Sequence, residues 1–252
     1  MPYLNSEVFY HALSAESCEL VTARPRAMAL AVESGEIDGG PLPVAEIFRL
    51  GDTVREVGCL GVACHGPALS VLLFSDRPVQ DLDGQRIAVT EDTATSVQLI
   101  RVLARDHWKI NPVLAPQDAD APARLVIGDD ANRQKKLNPA PYVYDLATEW
   151  HELTGLPFVF AAWVVRSNIQ EELIDSFGKA LFDAYCTGRQ QVPQIAAKRA
   201  NEFMSEEECA AYVRNFTYSI GDLERRGMNE FKRRLEELPS WRPPAPKIAV
   251  GT

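Results

Sequence analysis

The chain has 252 residues, of which 46% are hydrophobic and 24% are charged. These proportions are ordinary for a globular protein and exclude a disordered chain. The formal net charge of −9 at pH 7 argues against nucleic acid as a partner, because nucleic-acid-binding domains carry basic patches. The longest apolar run, residues 156–165, is far too short to span a bilayer, so no membrane partner is expected.

The five cysteines are odd in number, and no two of them form a C-x-x-C pair. Free thiols of this kind are typical of a reducing compartment. The first residues contain no basic stretch followed by an apolar one, so no export signal is predicted and we expect a cytoplasmic protein. The spacing of Cys59, Cys64 and His65 matches no zinc pattern, and neither a metal nor a cofactor is expected.

In chain order, the first two-thirds of the sequence alternates short apolar runs with segments of helical spacing. A short strand is expected before Asn5, and residues 37–40 are expected to end another. Everything after Glu171 is predicted to be helical as far as the tail 239–252, where four prolines oppose a helix. The other predicted helices cover residues 8–13, 26–33, 44–50 and 95–107, with a short one directly after residue 128. The other predicted strands cover residues 69–74, 86–90, 125–128, 142–146 and 158–165.

Strands that alternate with helices predict an α/β fold with mixed, mostly parallel sheets. Because the late helical segment must pack back on the earlier part, the sequence favours two lobes with a ligand cleft between them. The first lobe is predicted to combine residues 1–74 with residues 164–252, and the second to hold residues 75–163. The expected hinge consists of two crossing strands, at residues 69–75 and 158–166.

No common catalytic signature occurs in the chain, whether a glycine-rich phosphate loop, a zinc-protease helix or a nucleophile elbow. What remains is a set of small polar residues where predicted strands meet helices. Ligands bind at strand ends in α/β proteins, and hydroxyls beside free helix N-terminal amides suit a carboxylate. The set comprises Asn5, Ser6, Ser70, Thr93, Thr95, Ser96, Asp129 and Asp130.

Each of these residues also has a simpler interpretation. Ser, Thr, Asn and Asp at helix starts commonly cap the helix and touch no ligand. Gly66-Pro67 is typical of a turn, and large aromatic side chains such as Phe158 and Trp163 are typical of a core. Composition and spacing alone therefore indicate a two-lobed protein that binds a small anion.

Longer segments are more specific than these isolated residues. The clearest is Leu-Thr-Gly-Leu-Pro-Phe-Val-Phe-Ala at residues 153–161. It is preceded, in order, by Tyr-Leu-Asn-Ser at 3–6, Gly-Glu-Ile-Asp-Gly-Gly-Pro at 35–41, and segments at 66–75, 82–88, 95–97, 127–129, 144–146 and 149–152. In this order, over roughly residues 3–166, the chain resembles the chorismate dehydratase family of menaquinone biosynthesis. A sister family that cleaves a cyclic futalosine carries a histidine where this chain has Gly128 and Asp129, which favours the dehydratase.

The resemblance implies a fold like that of type II periplasmic binding proteins. It also implies the loss of water from chorismate, a dicarboxylate, to give 3-[(1-carboxyvinyl)oxy]benzoate in the futalosine route. Catalytic roles are implied for Asn5 and Ser70, and Thr95, Ser96 and their amides are expected to bind one carboxylate. The full set of expected substrate-binding residues is Ser6, Pro41, Gly66, Thr95, Ser96, Gly128, Asp129 and Phe158.

Three departures from the family pattern accompany the resemblance. The sequence has a short first strand before Asn5, so this residue is expected to be held less rigidly. His65 stands where the family often has an acidic or small polar residue, and the connection 111–124 lacks a helix common in relatives. Two other functions therefore stay open: a binding protein for a small carboxylate without catalysis, and an enzyme of the same fold that acts on a related substrate.

Overall fold

The computed structural model describes residues 3–14, 18–90, 93–239 and 241, and it contains two β-sheets surrounded by helices. The strands are β1 (Gly39–Pro43), β2 (Val54–Cys64), β3 (Val71–Ser75), β4 (Arg86–Val89), β5 (Val113–Pro116), β6 (Ala123–Ile127), β7 (Tyr142–Asp145), β8 (Phe158–Arg166) and β9 (Thr217–Ser219). The helices are α1 (Glu7–Tyr10), α2 (Pro25–Ser34), α3 (Val44–Leu50), α4 (Thr95–Leu103), α5 (Asp129–Leu137), α6 (Leu146–Thr154), α7 (Glu171–Gln190), α8 (Val192–Arg199), α9 (Glu206–Asn215) and α10 (Asp222–Glu236). A π-helical turn, Ala104–Trp108, extends α4.

Local sequence signals begin and end several of these helices. Pro25 opens α2, and Gly35 ends it in a left-handed conformation with φ of 81°. The Asp145 carboxylate accepts the amide protons of Ala147 and Thr148 and so caps α6. At α9, Ser205 and Glu208 form a capping box.

The first lobe is built on a four-stranded sheet in the order β1-β8-β2-β9, and all its pairings are antiparallel. Strand β8 lies between β1 and β2, and eight of its side chains are apolar, which explains its nearly continuous burial. Gly61 of β2 permits this close pairing, because a Cβ atom there would lie 2.4 Å from the carbonyl oxygen of Ala161.

The second lobe is built on a five-stranded sheet in the order β5-β4-β6-β3-β7. Strand β4 pairs in parallel with β5 and β6, whereas β3 runs antiparallel to both β6 and β7. The α/β, two-lobed architecture predicted from the sequence is confirmed, but the prediction of mostly parallel sheets is wrong. The physical reason is that the chain enters the second lobe along β3, which lies between β6 and β7. These two strands run in the same direction, and β3 runs opposite to both.

Several predicted elements differ from the observed ones. Residues Leu4–Ser6 form a 3₁₀ turn where a short strand was expected to lead into the first helix, and that helix ends at Tyr10. Residues 37–40 were expected to end a strand, yet β1 begins at Gly39. Strands β2 and β5 were not predicted, and β9 interrupts the late segment that was predicted to be entirely helical. Most of the predicted proline-rich tail 239–252 lies outside the described residues.

The chain passes between the sheets through residues 65–70 and again after α6. Strand β3 therefore belongs to the second sheet and β8 to the first, whereas the predicted boundaries at residues 74 and 163 put most of each strand in the other lobe. For the same reason neither strand crosses between the lobes as the predicted hinge required. None of the described helices is long and apolar enough to cross a membrane.

Candidate active site

A cleft lies where the ends of β3, β6 and α4 face β1, β2 and β8. It brings together six of the residues predicted from the sequence: Asn5, Ser70, Thr93, Thr95, Ser96 and Gly128. The other residues that line it are Tyr3, Pro25, Pro43, Val62, Val71, Ala94, Ile127, Phe160, Ala161 and Phe216. Among the described lining residues none has a charged side chain, so any anion bound here is held by neutral donors.

Asn5 enters the cleft from the 3₁₀ turn Leu4–Ser6. Its side-chain oxygen Oδ1 accepts a hydrogen bond from the Ser6 hydroxyl at 3.3 Å. Ser6 is fully buried and does not line the cleft; its hydroxyl holds the Asn5 side chain in place. With Oδ1 occupied in this way, the amide NH₂ of Asn5 is left to donate to a ligand.

Asp129 anchors the segment that carries Asn5. Its carboxylate accepts the Leu4 amide proton at 3.5 Å and pairs with Arg199 at 2.8 Å, and Arg199 also contacts Glu7. Burial raises the pKa of Asp129 even though Arg199 opposes the rise. Asp129 lines a separate cavity behind the cleft, so the expectation that it contacts the substrate directly is not met by this geometry.

Gly128 lies at the end of β6 with φ of 64° and ψ of −144°, a conformation that residues with a Cβ atom rarely adopt. A Cβ atom at this position would lie 2.8 Å from two ring carbons of Tyr3. The amide of Gly128 donates to the Ser70 carbonyl at 2.8 Å. A glycine is therefore required here if Tyr3 and Ser70 are both to lie against the cleft.

Ser70 precedes β3 and is 1% exposed, with its hydroxyl between the cleft and the C-terminal helices. The hydroxyl is 2.6 Å from the phenolic oxygen of Tyr212 on α9, and its separation from the Ala68 carbonyl is a longer 3.5 Å. Tyr212, which belongs to the late helical segment, is thus a direct neighbour of the Ser70 hydroxyl.

Thr95 and Ser96 form the first turn of α4, which has no side-chain cap. The Thr95 hydroxyl donates to the Phe160 carbonyl at 3.2 Å and accepts the Ala45 amide proton at 3.3 Å. A hydroxyl has a single proton, so Thr95 cannot donate to a carboxylate without giving up its bond to Phe160. Its side chain ties the two lobes together, and the donors left for an anion are the Ser96 hydroxyl and the amides of the first turn.

Three further predicted residues lie outside the cleft. Pro41 is buried opposite Trp163 in the sheet, and the cleft begins two residues later, at Pro43. Gly66 is in an exposed turn with φ of 93° and no atom within 4 Å of the position of a Cβ. Phe158 is 1% exposed and packs on Trp150, Phe160 and Phe231, which is the core role that the sequence also suggested.

Sequence reasoning missed other residues of the site. Phe160 lies two residues beyond the predicted Phe158 and lines the cleft, but the continuous apolar run of β8 does not distinguish the two. Nothing in the local sequence distinguishes Tyr212 or Phe216, because both come from a segment that reads as ordinary amphipathic helix.

His65 does not line the cleft. Its ring lies 2.6 Å from the carboxylate of Glu224, which also accepts the amide proton of Gly221 at the start of α10. Burial opposes ionisation of Glu224, but these hydrogen bonds outweigh it and hold the pKa of Glu224 below its ordinary value. This arrangement assigns His65 a structural hydrogen bond to Glu224 and does not place it as an acid or base beside a ligand.

Within the described residues, one group has the composition and spacing of a metal site: His107, Glu149 and Glu152, with ligand atoms within 4.8 Å of one another. None of the three lines the cleft. Cys59 and Cys64, which the sequence places near His65, are free thiols.

The sequence model of a family described as menaquinone biosynthesis matches residues 1–237. The chain belongs to the menaquinone biosynthesis family. The chorismate dehydratase of Thermus thermophilus is 26% identical over 92% of both chains. A second relative, the chorismate dehydratase of Campylobacter jejuni, is 30% identical over 48% of this chain and 44% of its own.

Solved structures with the same fold include a protein of Archaeoglobus fulgidus, with a TM-score of 0.72, 15% identity and coverage of 93% of this chain and 94% of that one. The periplasmic aliphatic sulphonate binding protein of Escherichia coli has a TM-score of 0.61, 16% identity and coverage of 97% and 89%. These similarities confirm the binding-protein-like fold that the sequence resemblance implied.

Proposed function

We propose that the chain is a chorismate dehydratase, a hydro-lyase that converts chorismate to 3-[(1-carboxyvinyl)oxy]benzoate and water. The observation that carries the proposal is the convergence of Asn5, Ser70 and the first turn of α4 on one cleft lined by neutral groups. Membership of the menaquinone biosynthesis family and the names of both relatives support the same activity. The futalosine route and a cytoplasmic location, which the resemblance also implied, stay predictions.

The chemistry explains why this cleft needs no strong base among its described lining residues. In the reaction the C3–H bond breaks, its electron pair forms the ring double bond, and the C4 hydroxyl leaves with the electrons of the C4–O bond; the C3 proton ends on this oxygen, which gives water. Aromatisation supplies much of the driving force. We propose that the enolpyruvyl carboxylate of the substrate takes the C3 proton, so the protein contributes mainly by holding the ring and this carboxylate in a reactive arrangement.

The donors of the cleft divide naturally between the parts of such a substrate. The Ser96 hydroxyl and the free amides at the start of α4 bind one carboxylate, with the helix dipole in their favour. The Asn5 amide and the Ser70 hydroxyl are left to hold the ring substituents and to stabilise charge on the departing hydroxyl. Phe160 and Val71 supply apolar contacts for the ring.

Alanine substitution of the two donors tests this assignment. Asn5→Ala and Ser70→Ala should each lower kcat for chorismate by about 10²-fold, the usual cost of removing one such donor. Ser75→Ala is the matched control, because Ser75 lies at the far end of β3 and its hydroxyl bonds to the Arg77 carbonyl outside the cleft. Near-full turnover by both donor variants would end the proposed mechanism.

A non-catalytic binding protein is the second candidate, and the similarity to the sulphonate-binding protein favours it. It predicts saturable binding of chorismate, measured by calorimetry, without any aromatic product. An enzyme acting on a related substrate predicts turnover of isochorismate or prephenate in place of chorismate. A parallel assay of the three compounds separates these functions.

A further inference from the structure

Tyr212 is the described residue whose side chain bonds directly to the hydroxyl of Ser70. The two oxygen atoms are 2.6 Å apart, which is a short hydrogen bond between neutral hydroxyls. Tyr212 is 2% exposed and Ser70 1% exposed, so water does not compete for this bond. The Tyr212 ring packs edge-on against Phe216, with ring centroids 5.1 Å apart, and Phe216 lines the cleft.

The direction of this hydrogen bond decides what Ser70 can do. A hydroxyl that receives a proton from its neighbour keeps its own proton for another acceptor. The second acceptor available to Ser70 inside the protein, the Ala68 carbonyl, is at a long 3.5 Å. When Tyr212 donates, the Ser70 proton is therefore available to an oxygen atom of a ligand in the cleft.

The surroundings keep Tyr212 in its protonated form. Burial raises the pKa of Tyr212 well above its ordinary value and outweighs the hydrogen bond with Ser70, which lowers it; the charges of Asp129 and Asp145 add to the rise. A protonated phenol is a better hydrogen-bond donor than an aliphatic hydroxyl, which favours the Tyr212-to-Ser70 direction. Hydrogen bonds in such a chain polarise one another, so the donation strengthens the Ser70 hydroxyl as a donor.

We propose that Tyr212 is a positioning residue: it donates to Ser70 and thereby directs the Ser70 proton at the substrate oxygen that gains charge in the reaction. This inference rests on the proposed dehydratase function. It links the C-terminal helix α9 to the catalytic step, although α9 contributes no side chain of its own to the described lining of the cleft.

Tyr212→Phe removes the phenolic oxygen and keeps the ring. We expect kcat for chorismate to fall about five- to thirtyfold with KM changed less than about threefold, as for the loss of one hydrogen bond that matters in the transition state. Tyr218→Phe is the matched control. Its hydroxyl is equally buried and donates to the Val213 carbonyl at 2.9 Å, so this variant loses a comparable bond that does not involve Ser70.

The decisive comparison is a double-mutant cycle with Ser70→Ala. If Tyr212 acts through Ser70, Tyr212→Phe lowers kcat in the wild type and has no further effect in the Ser70→Ala background. A purely structural role predicts the same lowered melting temperature for Tyr212→Phe and Tyr218→Phe with kcat unchanged in both. That result, or effects on kcat that multiply in the double variant, would overturn the inference.

A failure of the proposed dehydratase function can be told apart from a failure of the proposed role of Tyr212. A wild-type protein that binds chorismate without turning it over refutes the dehydratase proposal, and the same cycle is then measured on the Kd for chorismate. Coupling between positions 70 and 212 in Kd would retain Tyr212 as a positioning residue of a binding site. Independent effects on Kd would reject it.

Discussion

The Thr95 hydroxyl provides a sharp test of how the two lobes are held around the cleft. Thr95→Val replaces the hydroxyl with a methyl group of similar size. It removes the hydrogen bonds to the Phe160 carbonyl and from the Ala45 amide, and Ala45 is 2% exposed. The bond to Phe160 contributes roughly 0.5–1.5 kcal/mol, and the buried Ala45 amide left without its partner costs roughly 1–3 kcal/mol. We therefore expect a loss of about 1.5–4.5 kcal/mol in the free energy of unfolding.

Urea unfolding measures this loss, with two control variants. Thr95→Ser keeps the hydroxyl and should lose only about 1 kcal/mol for its missing methyl group. Thr187→Val removes a hydroxyl that bonds within its own helix, to the Asp183 carbonyl, and should change stability by less than about 0.5 kcal/mol. A Thr95→Val variant within about 0.5 kcal/mol of wild type would refute the role of this hydroxyl as a tie between lobes.

Other substitutions test the surroundings of the cleft. Gly128→Ala should cost roughly 1–3 kcal/mol of stability from backbone strain alone, which thermal melting measures. It should also raise KM in steady-state kinetics, because the new Cβ atom displaces Tyr3. Asp129→Asn removes the ion pair with Arg199 and so weakens the anchor of the turn that carries Asn5. A partly exposed ion pair is worth about 1 kcal/mol, so we expect kcat/KM to fall roughly fivefold. An unchanged kcat/KM would contradict this. Folding lowers the pKa of Glu224. The ionised carboxylate therefore stabilises the fold at pH values above the ordinary glutamate pKa, and this stabilisation is lost as the pH falls through the lowered pKa of the folded protein. Glu224→Gln should therefore be less stable than wild type at pH 7, and the difference in urea midpoints should shrink as the pH falls below the ordinary glutamate pKa of about 4.3.

The parts of the fold that the sequence predicted correctly are those with strong local signals. Helix α2 has a proline at its start and a glycine at its end, and β8 is a continuous apolar run. Strand β2 has neither signal. It carries Arg55 and Glu56, and a bulge at Gly58 and Cys59, where φ is 65° and 49°, breaks the alternation of its side chains. Its pairing with β8 and β9 is settled by tertiary contacts and cannot be read from the strand alone.

The same distinction applies to the site. Motif order predicted that Asn5, Ser70 and Thr95 come together, and they do line one cleft. The sequence could not show that the single proton of Thr95 is already committed to Phe160, since that depends on the approach of the lobes. Nor could it show that Tyr212, 142 positions away, bonds to Ser70. Roles that depend on a partner distant in sequence become visible only in the folded chain.

Chorismate turnover followed by proton NMR tests the central claim most directly. Wild-type protein is mixed with chorismate, without added metal or cofactor, and the products are identified by their ring and vinyl signals. The account predicts an aromatic product that keeps its enolpyruvyl ether and has lost the C4 hydroxyl, formed at a rate proportional to the protein concentration. Chorismate that persists unchanged, or an aromatic product that keeps the C4 oxygen and has lost the enolpyruvyl group, would contradict it.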